Sequence, residues 1–395
     1  MLPTMRIAVV SESFLPTVNG VTNSVCHVLD FLAERGHDAL VICPGPAAPR
    51  SYAGFPVHAL PAVPYRQFPV GIPSPQLQGL LSRFAPDVVH VASPFLLGAQ
   101  AIAAANRVGV PAVAVYQTDV PGYARRNRLG ITANLAWRFL RWVHEGAQLT
   151  LVPSSAAMAD LTAAGIPRLA SWGRGVDLRR YHPNNRRLAT TARLRERLSP
   201  DGEVVVGYVG RIAPEKQVDR LAVLRNLPGT RIAIVGDGPG ELAVRKALRG
   251  ADVSWLGRRG GDELAAAYAC LDVFVHTGDQ ETFGQTLQEA HASGVPVVAP
   301  RAGGPIDLVD HGVNGFLFDT DRGMRDAVAR LATDGALRAR IGEAGRRAVL
   351  GKSWEDVCTE LIGHYGDAIA AHARALVSRR APQAVAPRWA RTPPR

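Results

Sequence analysis

Short apolar segments that alternate with helix-length amphipathic segments constrain the fold of this chain more than any other feature. One series begins at residues 6–10 and a second at 204–209, and each apolar segment is brief and rich in β-branched residues. Such segments are typical of buried parallel strands, and their alternation with helices indicates doubly wound α/β sheets. The chain has 395 residues, so the two series predict two α/β domains. The other predicted strands are 39–43, 88–91, 111–116 and 149–152 in the first series and 231–235, 253–255, 273–276 and 295–299 in the second.

The stretch 172–185 is rich in glycine, arginine and proline and is predicted to connect the domains. We therefore expect a first α/β domain over residues 1–175 and a second over residues 183–358. A helix at 359–375 is expected to pack back on the first domain. Residues 376–395 are rich in proline, alanine and arginine, and this composition predicts a disordered basic tail.

Charge and cysteine content limit the partners and the compartment. The net charge is +11, but residues 374–395 contribute six arginines and no acid, so the remainder is only mildly basic. The basic residues are scattered and no nucleic-acid-binding motif is present, so nucleic acid is not an expected partner. The four cysteines are widely spaced, which indicates buried thiols in a reducing cytosol. No apolar run reaches the roughly 18–20 residues of a membrane span, and no signal peptide is recognised.

Two glutamates eight positions apart, Glu281 and Glu289, indicate a ligand site. Glu281 lies in a polar loop after the predicted strand 273–276, and Glu289 lies about one turn into the helix that follows. Ligands of open α/β sheets bind at the carboxyl ends of the strands, where a helix N-terminus favours anions. We expect the two carboxylates to hold hydroxyls at the two ends of one ligand, with a phosphate between them. Taken alone, the pair is also compatible with two surface acids near a helix start.

Two more loops supply groups that suit a phosphate. Gly210 and Arg211 follow the strand 204–209, and Lys216 follows in the same loop. Arginine offers a planar fork of donors and lysine a point charge, and together they suit a diphosphate. Gly20 follows the first strand and precedes a helix, where a glycine lets backbone N–H groups approach a phosphate.

Three other patterns favour less specific interpretations. Gly236 lies in Gly-Asp-Gly-Pro-Gly after the strand 231–235, which predicts a tight turn beside the ligand rather than a nicotinamide site. Asp319 and Asp321 have the spacing of a metal-binding DxD motif, but they trail a late strand and are interpreted as a charged turn, so no metal is expected. The basic segment 122–128 and the segment 137–142 mix cations with aromatic residues and suit a membrane headgroup region or a core helix with a solvated face.

In combination, Glu281-Thr-Phe-Gly with Glu289, Gly210-Arg211 with Lys216, and Asn19-Gly20-Val21 resemble the family 4 retaining glycosyltransferases of the GT-B fold. The resemblance covers residues 6–369. The segment 115–123 is similar to GDP-mannose-dependent α-mannosyltransferases of lipoglycan assembly. This resemblance implies GDP-mannose as donor, a lipid-linked acceptor and no cofactor. It also implies a cytoplasmic enzyme in peripheral contact with an anionic membrane at the inner face.

The resemblance also implies roles for the matching residues. Glu281 would contact the transferred sugar, Glu289 the ribose, and Arg211 and Lys216 the departing diphosphate. Gly20 would bring backbone N–H groups to that diphosphate. The remaining residues expected at the donor are Gln117, Gly210, Gly236, Thr282, Phe283 and Gly284.

Gln117 departs from the family pattern, because many members carry a histidine at this position. Glutamine exchanges hydrogen bonds but does not shuttle a proton, which argues against a base there. The departure fits a front-face mechanism in which the leaving phosphate takes the acceptor's proton. Asp119 lies nearby and is predicted to orient the acceptor.

Three alternatives remain open from the residues alone. A UDP-sugar could replace GDP-mannose, since no residue reads guanine against uracil. A nucleotide-sugar epimerase shares the two-domain architecture, but Gln117 weakens this alternative. A nucleotide-sugar-binding regulator would not need cations to stabilise a leaving group.

Overall fold

The computed structural model describes residues 4–65, 68–72, 74–92, 94–117 and 130–380. Their strands form two large, predominantly parallel sheets and one small antiparallel pair. Asp119 and the basic segment 122–128 lie outside the described residues.

The first sheet contains eight strands, and all its pairs are parallel except the last, β3–β4. The order is β10-β9-β8-β7-β1-β2-β4-β3, where the strands are β1 Arg6–Ser11, β2 Asp38–Pro44, β3 Ser51–Tyr52, β4 Phe55–Leu60, β7 Val88–Ala92, β8 Ala112–Val115, β9 Leu149–Val152 and β10 Leu169–Ser171. β5 Ala62–Tyr65 and β6 Phe68–Gly71 form the small pair. The helices of this part are α1 Gly20–Glu34, α2 Gln76–Phe84, α3 Leu96–Val108, α4 Gly130–Glu145 and α5 Ser155–Ala163.

The second sheet contains six strands, all parallel, in the order β13-β12-β11-β14-β15-β16. The strands are β11 Val204–Val209, β12 Thr230–Val235, β13 Val253–Gly257, β14 Val273–Val275, β15 Val297–Pro300 and β16 Gly315–Phe318. Its α-helices are α6 Ala189–Leu198, α7 Glu241–Ala247, α8 Gly261–Ala269, α9 Gln285–Ala292, α10 Pro305–Leu308, α11 Asp321–Thr333 and α12 Gly335–Val349. Short 3-10 helices occur at Pro183–Arg187, Pro214–Lys216 and Val218–Leu224. The inner strands of both sheets, such as β1, β7, β11 and β15, are buried apolar runs, as parallel strands covered on both faces require.

The last helix, α13 Trp354–Arg380, follows the second sheet in sequence but packs in the core of the first. Leu361 and Tyr365 lie in one apolar cluster with Ile7 and Val113. The Tyr365 hydroxyl is also 2.9 Å from Nδ1 of the buried His90. The chain therefore crosses between the sheets twice, once near residue 172 and once near 354.

The predicted disordered tail at 376–395 is wrong at its start, because α13 continues to Arg380. Alanine, leucine and arginine are strong helix formers, and a helix already nucleated extends at little cost. Residues 381–395 lie outside the described part of the chain.

Candidate active site

Lys216 and Glu281 form an ion pair where two neighbouring strand ends of the second sheet meet. Lys216 lies in the loop after β11 and Glu281 in the loop after β14, and β11 pairs with β14. Lys216 Nζ donates to Glu281 Oε2 over 2.6 Å. The side chain of Glu281 is 18% exposed, so one face of a shielded carboxylate remains open to a ligand.

His276 lies beneath this pair. Its Nε2 is 3.7 Å from Glu281 Oε2, and neither ring nitrogen has a hydrogen-bond partner among the described residues. Burial lowers the pKa of His276 to about 4, so the ring is neutral. Burial alone would raise the pKa of Glu281, but the charge and hydrogen bond of Lys216 and the charge of Arg174 outweigh it and lower this pKa to about 2. Glu281 is therefore an ionised hydrogen-bond acceptor.

The two loops that carry Lys216 and Glu281 are bound to each other. Thr277 Oγ1 donates to the Lys216 carbonyl over 2.6 Å, and Arg220 Nη1 donates to the Thr277 carbonyl over 2.9 Å. Backbone atoms of Glu215 and Lys216 also lie within 3.4 Å of the position that a Cβ of Gly278 would occupy. Each of these contacts ends on a backbone atom of one of the two loops, so together they hold the loops in a fixed relation.

A third loop, after β15, supports Glu281 from behind. The Gly304 amide donates to the Glu281 carbonyl over 2.7 Å. A Cβ on Gly303 would lie 2.4 Å from that same oxygen, and a Cβ on Gly304 would lie 2.1 Å from the Phe283 carbonyl. The glycine pair therefore permits the loop to approach the Glu281–Gly284 segment closely, while the ring of Phe283 is buried.

Arg211 lies at the edge of this cluster. Its guanidinium pairs with Glu215 and is 56% exposed. Its carbonyl accepts a hydrogen bond of 3.0 Å from the buried Tyr208 hydroxyl. The backbone at Arg211 is therefore fixed, while its guanidinium is accessible to an anion.

Gly210 and Gly236 lie where the loops after β11 and β12 cross. A Cβ on Gly236 would come within 1.9 Å of the Gly210 carbonyl. Close packing of these two loops therefore requires a glycine at position 236, apart from its predicted place near the ligand.

In the first domain, Gly20 begins α1 and Asn19 caps it. Asn19 Oδ1 accepts from the amides of Val21 and Thr22 over 3.0 Å each. Arg174 reaches this turn from the connection between the domains. Its Nη1 would lie 2.7 Å from a Cβ on Gly20, and its Nη2 donates to Gln117 Oε1 over 2.9 Å. The structure therefore joins Gly20 and Gln117 through an arginine.

Glu289 lies on α9 and accepts a 2.8 Å hydrogen bond from the hydroxyl of buried Tyr268. Burial raises the pKa of Glu289 to about 7, against hydrogen bonds from Tyr268, Gln285 and Tyr181 that lower it. Glu289 faces an interdomain cavity of about 450 Å³. The cavity is lined from both domains and from the connection by Gly20, His27, Arg174, Arg258, Leu264 and Glu289, among others.

The predicted residues therefore form three neighbouring groups. Lys216, Glu281 and the loop Thr282–Gly284 are one group, Gly20 and Gln117 a second, and Glu289 a third across the interdomain cavity. Arg174 and His276 were not predicted as site residues. A cation between two glycines, in Gly173-Arg174-Gly175, was the available signal for Arg174.

The predicted charged turn at Asp319 and Asp321 has a partner for each acid. Asp321 Oδ1 accepts from Arg220 over 2.7 Å, and Asp319 Oδ2 lies 3.5 Å from Arg301. Thr320 caps α11 between them. Over the described ranges, no cluster of three or more His, Cys, Asp or Glu side chains is arranged to hold a metal ion.

Two α/β domains that face a shared cavity have the architecture of the GT-B fold. A solved sucrose-phosphate synthase from Thermosynechococcus elongatus has this fold and superposes with a TM-score of 0.75 at 20% identity, over 93% of this chain and 100% of its own. Residues 18–180 match the model of Glycosyltransferase Family 4, and residues 191–348 match that of Glycosyl transferases group 1.

Two relatives are similar over nearly their whole length. A GDP-mannose-dependent alpha-mannosyltransferase of Mycolicibacterium smegmatis is 49% identical over 91% of this chain and 97% of the relative. One of Corynebacterium glutamicum, with the same name, is 44% identical over 93% of this chain and 90% of the relative. The chain belongs to glycosyltransferase family 4.

Proposed function

We propose that this protein transfers mannose from GDP-mannose to a lipid-linked glycan acceptor with retention at the anomeric carbon. The observation that carries the proposal is the Lys216–Glu281 pair, held at 2.6 Å with the accessible Arg211 on the same loop as Lys216. Relatives that are 44–49% identical and named for GDP-mannose support the donor.

The chemistry rests on charge rather than on a base. The bond between the anomeric carbon and the β-phosphate oxygen breaks, and the acceptor oxygen bonds to that carbon on the same face. The acceptor's proton passes to the departing phosphate, because Gln117 does not take a proton. Arg211 and Lys216 stabilise the charge that develops on the diphosphate. Glu281 holds the sugar hydroxyls, Glu289 holds the ribose, and Asp119 orients the acceptor. No metal and no cofactor enters this scheme.

An exposed apolar surface on the first domain supports a lipid-linked acceptor and peripheral contact with an anionic membrane. Leu135 and Trp142 of α4 are 55% and 61% exposed, and Phe95 and Leu96 at the start of α3 are each 39% exposed. The Phe139 ring lies between Phe95 and Trp142, at 5.9 and 6.0 Å. Arg138 and Arg141 lie on the same helix. We call Phe95, Leu96, Leu135, Phe139 and Trp142 the aromatic surface. It has the composition of a surface that enters a headgroup region.

None of the helices in the described ranges combines the length and apolarity that spanning a bilayer requires. Under this proposal the enzyme works in the cytoplasm and meets the inner face of the membrane through the aromatic surface.

The donor is tested by thermal shift and by turnover against a panel of nucleotides and nucleotide sugars. GDP and GDP-mannose should raise the midpoint, by mass action on the folded state, while UDP and UDP-glucose should not. GDP-mannose should also be the donor consumed with a polyprenyl- or glycerolipid-linked mannoside, and chelation by EDTA should leave that rate unchanged. A shift selective for UDP would overturn the donor assignment.

A further inference from the structure

Arg174 lies in the site but has no role in the scheme proposed above. We infer that Arg174 is a third diphosphate-binding cation, which contacts the β-phosphate of the donor and is positioned by Gln117. The inference rests on the proposed nucleotide-sugar donor and adds a residue from the connection between the domains to its binding site.

The guanidinium of Arg174 is held on two sides. Nη2 donates to Gln117 Oε1 over 2.9 Å, which fixes one edge of the planar group. Nη1 fills the space where a side chain on Gly20 would begin, 2.7 Å from that Cβ position. Arg174 therefore lies against the first turn of α1, a helix of 15 residues whose dipole is positive at this end. A cation and a helix N-terminus that share one place both attract an anion.

The charge of Arg174 has no direct counter-ion. Among the described residues, no carboxylate lies within 4.0 Å of its guanidinium, and the acid that influences it, Glu281, is already bound to Lys216 at 2.6 Å. Burial lowers the pKa of Arg174, so the charged form is partly desolvated. A partly buried cation without a counter-ion is costly, and an anion from the ligand relieves that cost.

The position of Arg174 indicates which phosphate it meets. Its charge lowers the pKa of Glu281, the carboxylate expected at the sugar end, and its Nη2 donates to Gln117 Oε1 over 2.9 Å. Arg174 also lines the interdomain cavity together with Gly20 and Glu289. The guanidinium thus lies toward the sugar end of the site, where the β-phosphate would be.

This arrangement also explains a glutamine at position 117. The carboxamide oxygen accepts from Arg174 at every pH, whereas a protonated imidazole would place a second positive charge against the guanidinium. Gln117 is therefore a positioning residue for Arg174. Its loss should weaken phosphate binding without a change in nucleoside binding.

The test compares GDP with GMP, which lacks the β-phosphate, by calorimetry on the full chain. Arg174→Ala should weaken GDP by about ten- to a hundredfold, which is the range for a charged hydrogen bond, and should leave GMP nearly unchanged. Arg174→Lys should recover part of the loss. Arg179→Ala is the matched control, since Arg179 is an exposed arginine of the same connection that does not line the cavity.

Gln117→Leu and the double variant test the positioning step. Gln117→Leu should weaken GDP binding several-fold. Adding this substitution to Arg174→Ala should cause little further loss of affinity, because the two side chains act as a unit. Equal affinity of wild type and Arg174→Ala for GDP would refute the inference. Equal losses for GDP and GMP would refute it too, since they would indicate a general disturbance of the connection. If the wild type binds UDP instead of GDP, the donor assignment fails. The effect of Arg174→Ala on affinity for UDP and for UMP then tests the role of Arg174 separately.

Discussion

Glu281 stays ionised inside the protein because its partners are supplied by backbone-fixed loops. Desolvation opposes the charge, but Lys216 at 2.6 Å and the nearby Arg174 offset it and leave a pKa of about 2. Removing one partner of a buried pair usually destabilises more than the pair contributes, because the other charge remains unpaired. Substitutions of Lys216 are therefore expected to change stability and turnover together. Arg211 is exposed, so its substitution tests turnover with less effect on stability.

Arg211→Ala should lower turnover by about a hundred- to a thousandfold, which is typical for a lost donor to developing charge. Stability should change little, because the Arg211–Glu215 pair is largely exposed and such pairs contribute about 0–1 kcal/mol. The measurement is kcat with GDP-mannose beside a thermal melt. Arg347→Ala removes another exposed i,i+4 pair, with Glu343, and should retain wild-type turnover. Near-normal turnover of Arg211→Ala would contradict its role at the leaving group.

Glu289 should make donor binding depend on pH near neutrality. Burial raises its pKa to about 7, so the free protein carries a neutral carboxyl below that pH. Ribose hydroxyls donate best to the ionised form, so binding below pH 7 must release a proton. GDP affinity should therefore fall as the pH decreases from 8 to 6, approaching tenfold per unit below the pKa. Calorimetry across this range measures the slope, and Glu289→Gln should flatten it. A slope that persists in Glu289→Gln would show that another group titrates.

The loops at the carboxyl ends of β11, β12, β14 and β15 support one another, and glycines make this possible. Gly236 has a φ of 136° and its Cβ position lies 1.9 Å from the Gly210 carbonyl, whereas Gly250 has a φ of 82° and no atom of the described residues within 4 Å of its Cβ position. Alanine substitutions at these two glycines therefore distinguish two contributions to the free energy of unfolding. One is backbone strain at a positive φ, and the other is steric overlap with a neighbouring backbone atom.

Gly236→Ala should both destabilise the fold and weaken GDP, because the displaced Gly210 carbonyl moves the loop that carries Arg211. Gly250→Ala should cost only about 1 kcal/mol of unfolding free energy, from backbone strain, and should leave GDP affinity unchanged. Urea melts and calorimetry on both variants provide the measurements. Normal GDP affinity in Gly236→Ala would show that the contact between these two loops does not position Arg211 for GDP binding.

Strands and helices were predictable where a buried element requires a continuous run of apolar residues in the sequence. The predicted strands 204–209 and 149–152 coincide with β11 and β9. β10 was missed because it has three residues and no apolar alternation, and only its pairing with β9 defines it. The predicted helix that carries Glu289 is α9, which begins at Gln285 because Gly284 before it adopts a left-handed φ of 106°. The motif residues were predictable from strand-end loops, but Arg174 was not, since its contacts with Gly20 and Gln117 join parts of the chain that are far apart in sequence.

Viewed whole, the molecule exposes its aromatic surface on the first domain, while Arg211 and Lys216, the cations proposed to bind the donor, lie on the second. Trp142→Ala should reduce sedimentation with vesicles containing phosphatidylglycerol by about tenfold, because burying one large aromatic side chain contributes about 1.5–3 kcal/mol. Affinity for GDP should not change. Leu242→Ala is the control, as Leu242 is 84% exposed on the second domain and should leave sedimentation unaltered. Equal sedimentation of Trp142→Ala and wild type would show that this surface does not meet the membrane.

The return of α13 to the first sheet has a consequence for how the chain is made. During synthesis the strands β1 to β10 emerge early, yet Leu361 and Tyr365, which cover Ile7 and pair with His90, emerge last. The first sheet must wait, with the part of one apolar face that α13 covers still exposed, until the whole second domain has left the ribosome. The second domain, whose strands and helices are contiguous in sequence, can complete itself first. Maturation of this protein should therefore run against the usual order from N-terminus to C-terminus.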